Sequence, residues 1–384
     1  MLKIQKINLF SEVFESRSLP HCYSLRELDS EAFPTVRHHK SEDDEKVYSI
    51  RLVPPHFNLT IKDNEEWDFH SIPQYNWGYA ILLENYSNTE EYLQKQFKAN
   101  FRKVVKRYVA RLEGCFDIRY HTFYGEIEQN EYDFLMNKLR LMVKRRFTQK
   151  GERHLDLHKW DRLKKDGLHL INERKASLFV IYQGNEPIEI SLNYHYDQIL
   201  FSAISSYDTA YSKFGLGHVE IYKQLDWCFE HGFIIFEMGV GGMDYKRRWS
   251  NSVYRFEHHI VFKRNHFTQL FFGTFEILRV KCKEYLKSKG LNEIHWKIRL
   301  PSQKKSQVPT HNFLKKEEPN KLYLREKLNP LDKANDTLTK AVCDFLYLHK
   351  LHLNQIKVYL YNETESYWIW VEDEKTWYSS TRSK

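Results

Sequence analysis

Two glycines, Gly215 and Gly217, flank Leu216 just ahead of an amphipathic stretch, a spacing that suits an anion. Glycine lets a backbone approach a ligand closely, and a helix beginning near His218 would turn its unbonded N–H groups and positive end toward a phosphate. Phe214, Gly215, Leu216, Gly217 and His218 are therefore the candidate cofactor-binding residues. A bare G-x-G also describes an ordinary tight turn, so the flanking sequence has to decide. Upstream, residues 188–196 alternate: Ile188, Ile190, Leu192, Tyr194 and Tyr196 share one face of a strand, and Glu189, Ser191, Asn193 and His195 share the other. Glu189, its pKa raised by partial burial, or His195, near neutrality unaided, could act as a general base directly or through water. The same face could equally be the solvent side of an antiparallel sheet, and a one-residue slip in register would reverse it. Downstream, Tyr245 can donate a proton, as can Tyr207 and Tyr211, and Lys246, Arg247 and Arg248 can neutralise a phosphate or carboxylate. The catalytic candidates are Glu189, His195 and Tyr245; those for contacting a substrate are Asn193, Tyr211, Glu237, Lys246 and Arg247. Trp249 and Cys228 read as packing residues.

Several elements must position these groups. Val219, Tyr222, Leu225 and Phe229 recur at helical spacing, and Gly232 stops that helix. Phe233 to Phe236 is an apolar run suited to a buried strand, which Gly239, Gly241 and Gly242 break. Before the alternating strand, residues 177–182 and the turn pair Gly184-Asn185 complete a hairpin; after it, residues 199–205 form a third strand leading to the Gly215 turn. Residues 89–112 read as one helix capped by Thr89, with Leu93, Phe97, Phe101, Val105 and Leu112 on its apolar stripe. A strand at 116–123 and a second helix at 127–147 follow. Residues 151–167 read as a loop and a short helix, where His154 and His158 stand four apart with no third metal ligand at a convincing spacing. His38 and His39 read as an exposed pair in a charged loop.

The order of hairpin, strand, glycine turn, helix and buried strand resembles the GNAT acyltransferase superfamily. The branch it resembles includes CelD-like polysaccharide-biosynthesis proteins and, more distantly, Fem-type peptidoglycan aminoacyl transferases. The matching residues are Tyr207-Asp208-Thr209-Ala210-Tyr211 before the turn, Gly215 at the helix start, Phe236-Glu237-Met238-Gly239 on the strand, and Tyr245-Lys246 with Trp249 after it. Glu237 stands where the motif usually has Asp, and Phe214 where it usually has Pro. The resemblance spans about residues 90–262. It implies an α/β fold with a GNAT-like mixed sheet flanked by helices, in tandem GNAT-like halves. Beyond it, a helix at 338–351 and strands at 355–361 and 367–372 read as a small C-terminal αββ extension. The resemblance also implies acyl-CoA, acetyl-CoA in the simplest case, lying between splayed strands with its pyrophosphate at the helix start and no metal. The implied reaction is transfer of the acyl group to an amine on a sugar or other cell-envelope precursor. Such a step needs a neutral amine, an acceptor for its proton, a group that polarises the thioester and an acid for the leaving thiolate. A Fem-type transferase using aminoacyl-tRNA, or a non-catalytic subunit of a polysaccharide-assembly complex, are the alternatives.

Length and composition bound the rest. The 384 residues are 41% hydrophobic and 15% aromatic, enough for two or three packed units. The expected divisions are 1–88 as an N-terminal α/β half, 89–265 as the catalytic domain, 266–335 as a helix and polar linker, and 336–384 as the αββ tail. Without an apolar run near membrane-spanning length, the chain has no expected span or signal peptide. Five scattered cysteines, Cys22, Cys115, Cys228, Cys282 and Cys343, fit reduced thiols in the cytoplasm. The net charge is +8. Its excess sits in residues 90–113 and 138–165, basic segments that suit an anionic partner.

Overall fold

The computed structural model describes residues 4–20, 22–25, 37–38, 46–57, 59–61, 66–150, 160–241, 244–290, 311–319, 324–332, 335–361 and 366–382. His39, His154 and His158 lie outside them. The N-terminal strands are β1 (Ile4–Asn8), β2 (Ser18–Leu19), β3 (Tyr23–Leu25), β4 (Arg37–His38), β5 (Val47–Val53), β6 (Leu59–Ile61) and β7 (Trp67–Leu82). β2 with β4, and β3 with β6, are short two-stranded ribbons. Next come helices α1 (Thr89–Gln96) and α2 (Ala99–Cys115), strand β8 (Ile118–Phe123), and helices α3 (Gln129–Lys150) and α4 (Trp160–Asn172). The hairpin is β9 (Ala176–Gln183) and β10 (Glu186–Tyr196), followed by β11 (Ile199–Tyr207), a 3-10 turn at Thr209–Phe214 and α5 (Leu216–Glu230). Then follow β12 (Ile235–Val240), α6 (Asp244–Trp249), β13 (Ser252–Lys263) and α7 (Phe267–Ser288). The chain closes with β14 (His311–Lys316), β15 (Leu324–Leu328), α8 (Asp336–His349), β16 (Ile356–Tyr361), β17 (Ser366–Val371) and β18 (Thr376–Arg382).

One mixed sheet of nine strands, in the order β1-β5-β13-β7-β12-β11-β10-β9-β8, organises the molecule. The strands of residues 1–88 and those of 89–265 therefore share one hydrogen-bonded sheet. β7 is the long strand. It begins in the polar stretch ahead of Trp77 and pairs with β13 from Trp67 to Ala80, but with β12 only through Gly78–Leu82. Pro73 sits where that second partner is missing and an N–H is dispensable. Ile190, Leu192, Tyr194 and Tyr196 of β10 enter one core cluster with Leu135, Leu139, Leu163 and Ile171 of α3 and α4. On the opposite face, α1, α2, α5 and α6 pack Tyr92, Val105, Ile221 and Trp249 against Tyr79, Ile81, Leu200 and Phe236. Ile188 falls in a different cluster from its expected strand mates, because the register shifts between Pro187 and Glu189.

Three expectations change. The helix read across 89–112 is two helices: Phe97 is extended, its carbonyl takes an Arg102 guanidinium bond at 2.8 Å, and α2 continues through Gly114. The cap of α1 is Asn88 rather than Thr89, with its Oδ1 accepting from Glu91 N at 2.9 Å. Finally, the stretch read as a polar linker contributes β14 and β15. With β16 to β18 these make a five-stranded antiparallel sheet in the order β14-β18-β17-β16-β15 in place of an αββ tail, and α8 covers one face of it.

Candidate active site

The polar face of β10 is buried as completely as its apolar face, because α5 lies across it. Glu189, Ser191, Asn193 and His195 are each at most 4% exposed, so this face is not the solvent side of the sheet. Along α5, Glu220 and Gln224 stand one turn apart and point to the same place. Ser191 Oγ lies 2.8 Å from Glu189 Oε1 and 2.7 Å from Glu220 Oε1. Glu220 also accepts from Ser205 Oγ of β11 at 2.7 Å and from Gln224 Nε2 at 3.0 Å. The chain of contacts continues from Asn193 Nδ2 to Gln224 Oε1 at 2.8 Å, and ends with His195 Nε2 2.8 Å from Ser177 Oγ.

A hydroxyl has one hydrogen to give, so Ser191 cannot donate to both carboxylates. One carboxyl must carry a proton and donate it to Ser191. Burial pushes both glutamates up from the ordinary carboxylate range, and the neighbouring charge of Glu220 pushes Glu189 further. Ser205 and Arg146 act on both carboxylates, whereas Gln224 donates to Glu220 alone and Lys246 adds its charge there, and these two favour the ionised form of Glu220. The proton therefore belongs on Glu189 and the charge on Glu220.

Above this pair the sheet opens. β11 and β12 run parallel but pair only at Ile199–Ile235, Leu200–Phe236 and Phe201–Glu237. β12 then stays with β7, reaching Gly78 at Val240 across an irregularity, while β11 continues with β10 to Tyr207. Gly239 turns the strand with a φ of +68°, a conformation side chains resist. Its N–H bonds Glu237 Oε1 at 2.7 Å, and Tyr254 OH donates to Glu237 Oε2 at 2.7 Å. Glu237 is thus fully buried, with both carboxylate oxygens engaged in holding the bend.

The glycine turn sits beyond the end of β11. Gly215, at φ +64°, caps α5, and the helix begins at Leu216, two residues ahead of expectation. Phe214 and Leu216 bury their side chains in the core, so only their backbone can meet a ligand. Gly217 faces open space, and the N–H groups of Leu216 and Gly217 have no carbonyl partner within the helix. His218 is fixed on two sides: its ring stacks on Tyr108, and its Nδ1 accepts the Trp249 indole N–H at 2.9 Å. Burial, with Arg248 nearby, pushes this imidazole down to about 4, so it is neutral with its proton on Nε2.

The remaining candidates divide between the opening and the framework. Tyr245 shares the electrostatic field of Glu220, Arg146, Tyr207 and Glu189, and burial raises its pKa. Arg146 of α3 lies over the Tyr207 ring. Lys246 donates to Met238 O at 2.5 Å and is pushed down by burial, so it ties α6 to the bend in β12. Arg247 is exposed. Tyr211 is 3% exposed and packs on Phe116 and Phe214. It also lines, with Tyr207, Asp208 and Arg145, a cavity of about 470 Å³ between α3, the β9–β10 turn and α8. His195 lies six positions along the strand from Glu189, about 20 Å away. Tyr124, Trp227 and Phe233 surround it, and burial with Arg17 and His231 holds its pKa down to about 3. Asn193 belongs to the contact chain between the two ends. The groups that sequence reading missed are Glu220, Gln224, Ser205 and Arg146; the available signal was a Glu and a Gln one turn apart on the helix that follows the glycine turn. Among the described residues, no group of three or more His, Cys, Asp or Glu is placed to hold a metal.

Residues 99–247 match the acetyltransferase (GNAT) domain family, which supports a transferase. No curated protein matches the chain. Among solved structures, one similar chain is a conserved protein of unknown function from Bacteroides thetaiotaomicron, at TM-score 0.39 and 10% identity over 58% of this chain and 72% of that one. FemX is similar at TM-score 0.37 and 12% identity over 49% of this chain and 62% of its own. A DUF2156 domain from Agrobacterium fabrum is similar at TM-score 0.37 and 6% identity over 56% and 68%.

Proposed function

We propose that the chain is an N-acyltransferase moving an acyl group, acetyl in the simplest case, from acyl-CoA to an amine on a sugar or other cell-envelope precursor. The observation that carries this reading is the parting of β11 from β12 above a buried, proton-sharing carboxyl pair, with the start of α5 beside it. A thioester lying in the gap has its pyrophosphate over the N–H groups of Leu216 and Gly217. The amine attacks the carbonyl carbon. Its proton passes to Ser205 Oγ as the hydrogen of Ser205 passes to Glu220 Oε2, already 2.7 Å away. The C–S bond then breaks, the thiolate takes the phenolic proton of Tyr245, and the proton on Glu220 restores that phenol. The net movement is one proton from amine to thiol. Glu189 keeps its proton and orients Ser191, and exposed Arg247 meets an anionic group of the acceptor. His195, Asn193, Tyr211, Glu237 and Lys246 serve the framework in this scheme.

Calorimetric titration with acetyl-CoA and with CoA, repeated on Gly217→Glu, tests the reading. Micromolar binding by the native chain and none by the variant is the expected result. Absence of binding by the native chain would sink the acyl-CoA donor.

A further inference from the structure

Helix α7 is packed inside out. The face that meets the sheet carries Gln269, Gly273, Glu276, Ile277, Val280 and Glu284, whereas Phe267 (84% exposed), Phe271 (65%), Phe275 (56%), Leu278 (62%), Tyr285 (62%) and Leu286 (42%) face outward. Burial of apolar surface would favour the opposite orientation, so the polar contacts must fix this one. Gln269 Oε1 accepts from Lys263 N at 2.9 Å, Glu276 accepts from Ser49 Oγ at 2.7 Å, and Glu284 accepts from Tyr75 N at 2.8 Å. Arg279 and Lys287 complete the two carboxylates from within the helix. Gly273 lets the helix sit directly on Phe262, whose ring a Cβ would meet at 2.4 Å. Rotating the helix would break all of these contacts.

We infer that this outward face binds an anionic membrane surface, with α7 lying in the plane of the headgroups. At 100° per residue the exposed apolar positions, with Leu270 and Phe272 included, cover roughly 200° of the helix, wider than the seam of a two-stranded coiled coil and suited to a continuous apolar medium. The helix is about 33 Å long at 1.5 Å per residue. No described helix is long and apolar enough to cross a membrane, so α7 lies on the surface. Charge selects the occupant. The two acids of α7 are both turned inward, while Lys281, Lys289 and Arg264 are exposed at or just beyond its outward face. Anionic lipid headgroups supply the missing countercharge; a second copy would bring the same lysines and no exposed acid of α7.

Flotation of the full chain with vesicles of phosphatidylcholine, with and without phosphatidylglycerol, tests this inference. The native chain is expected to float with the anionic vesicles. Phe271→Glu with Leu278→Glu, both at exposed positions so that circular dichroism stays native, should lower the bound fraction by about tenfold or more. Lys281→Glu with Lys289→Glu should weaken binding to the anionic vesicles alone, and added salt should do the same to the native chain. Flotation unchanged by the apolar substitutions, or none with either vesicle, overturns the inference. So does a dimer in sedimentation equilibrium that Phe271→Glu with Leu278→Glu dissociates while vesicle binding is absent, an outcome that gives the face to a second copy.

Discussion

Ser191 has one hydrogen and two carboxylates in reach, and that count assigns unlike states to two buried glutamates. Glu220→Gln should therefore lower kcat about 100- to 1000-fold while leaving the calorimetric affinity for CoA unchanged. Glu189→Gln should cost far less, since its amide can still donate to Ser191; equal losses from the two variants would contradict the assignment. Because burial raises the pKa of Glu220, kcat in the native chain should climb with pH through that raised value. Buried histidine gives a second readout. His195 has a folded pKa near 3 against about 6.5 unfolded, so its neutral form contributes stability that is complete above about pH 6.5 and drains away as pH falls toward 3. His195→Gln should flatten the dependence of the urea midpoint on pH across that window. Glu189 was legible from alternation along its strand. Glu220 was not, because the expected stripe through Val219, Tyr222, Leu225 and Phe229 is rotated from the one that is buried, which includes Leu216, Glu220 and Gln224 and leaves Tyr222 and Phe229 half-buried.

Elements, more than residues, decide whether there is a gap for a ligand. β12 leaves β11 because Gly239 can adopt φ +68° and because Glu237 and Lys246 hold the bend from either side. Gly239→Ala adds a Cβ that meets the Phe201 ring at 3.0 Å in a backbone conformation unfavourable to alanine by about 1–2 kcal/mol. The expected outcome is a destabilisation of roughly 1–3 kcal/mol in urea unfolding, accompanied by weaker CoA binding. Retained binding at native affinity would mean that the gap does not depend on the bend. From sequence, Gly239 read as the end of a strand, yet it is a kink within one. A glycine that stops a strand and one that bends it look alike until the neighbouring strand is known, and here that strand is β7, some 150 residues earlier in the chain. The break between α1 and α2 was hidden for a similar reason. Phe97 continues the apolar stripe of a single helix, but its packing on Trp249 and Phe101 is what the extended turn serves.

At the scale of the molecule, the glycine turn depends on a part of the chain that sequence reading set apart. The 3-10 turn at Thr209–Phe214 buries Ala210, Tyr211 and Phe214 in one cluster with Leu338, Ala341, Val342 and Phe345 of α8. Lys213 reaches the buried carboxylate of Asp344 at 3.3 Å, alongside Lys340. The C-terminal sheet was only partly legible: β16 and β17 show clear alternation, but β14 (HNFLKK) and β15 (LREKL) place charged residues side by side, and their pattern does not mark a buried face. Its attachment to the turn was not legible at all, being a contact across more than 120 residues. Phe345 tests that attachment. It is fully buried against Phe313, His349 and Tyr378, so Phe345→Ala should destabilise the fold by about 3–5 kcal/mol through the cavity it leaves. If α8 braces the turn, the variant unfolds in one transition with its midpoint lowered, and its CoA affinity falls under conditions where circular dichroism is still native. If the C-terminal sheet is an independent unit, unfolding splits into two transitions and CoA affinity is untouched. The shared cluster favours the first outcome, because the side chains that would become loose on the α8 side are the ones that hold Phe214 and Leu216 on either side of Gly215.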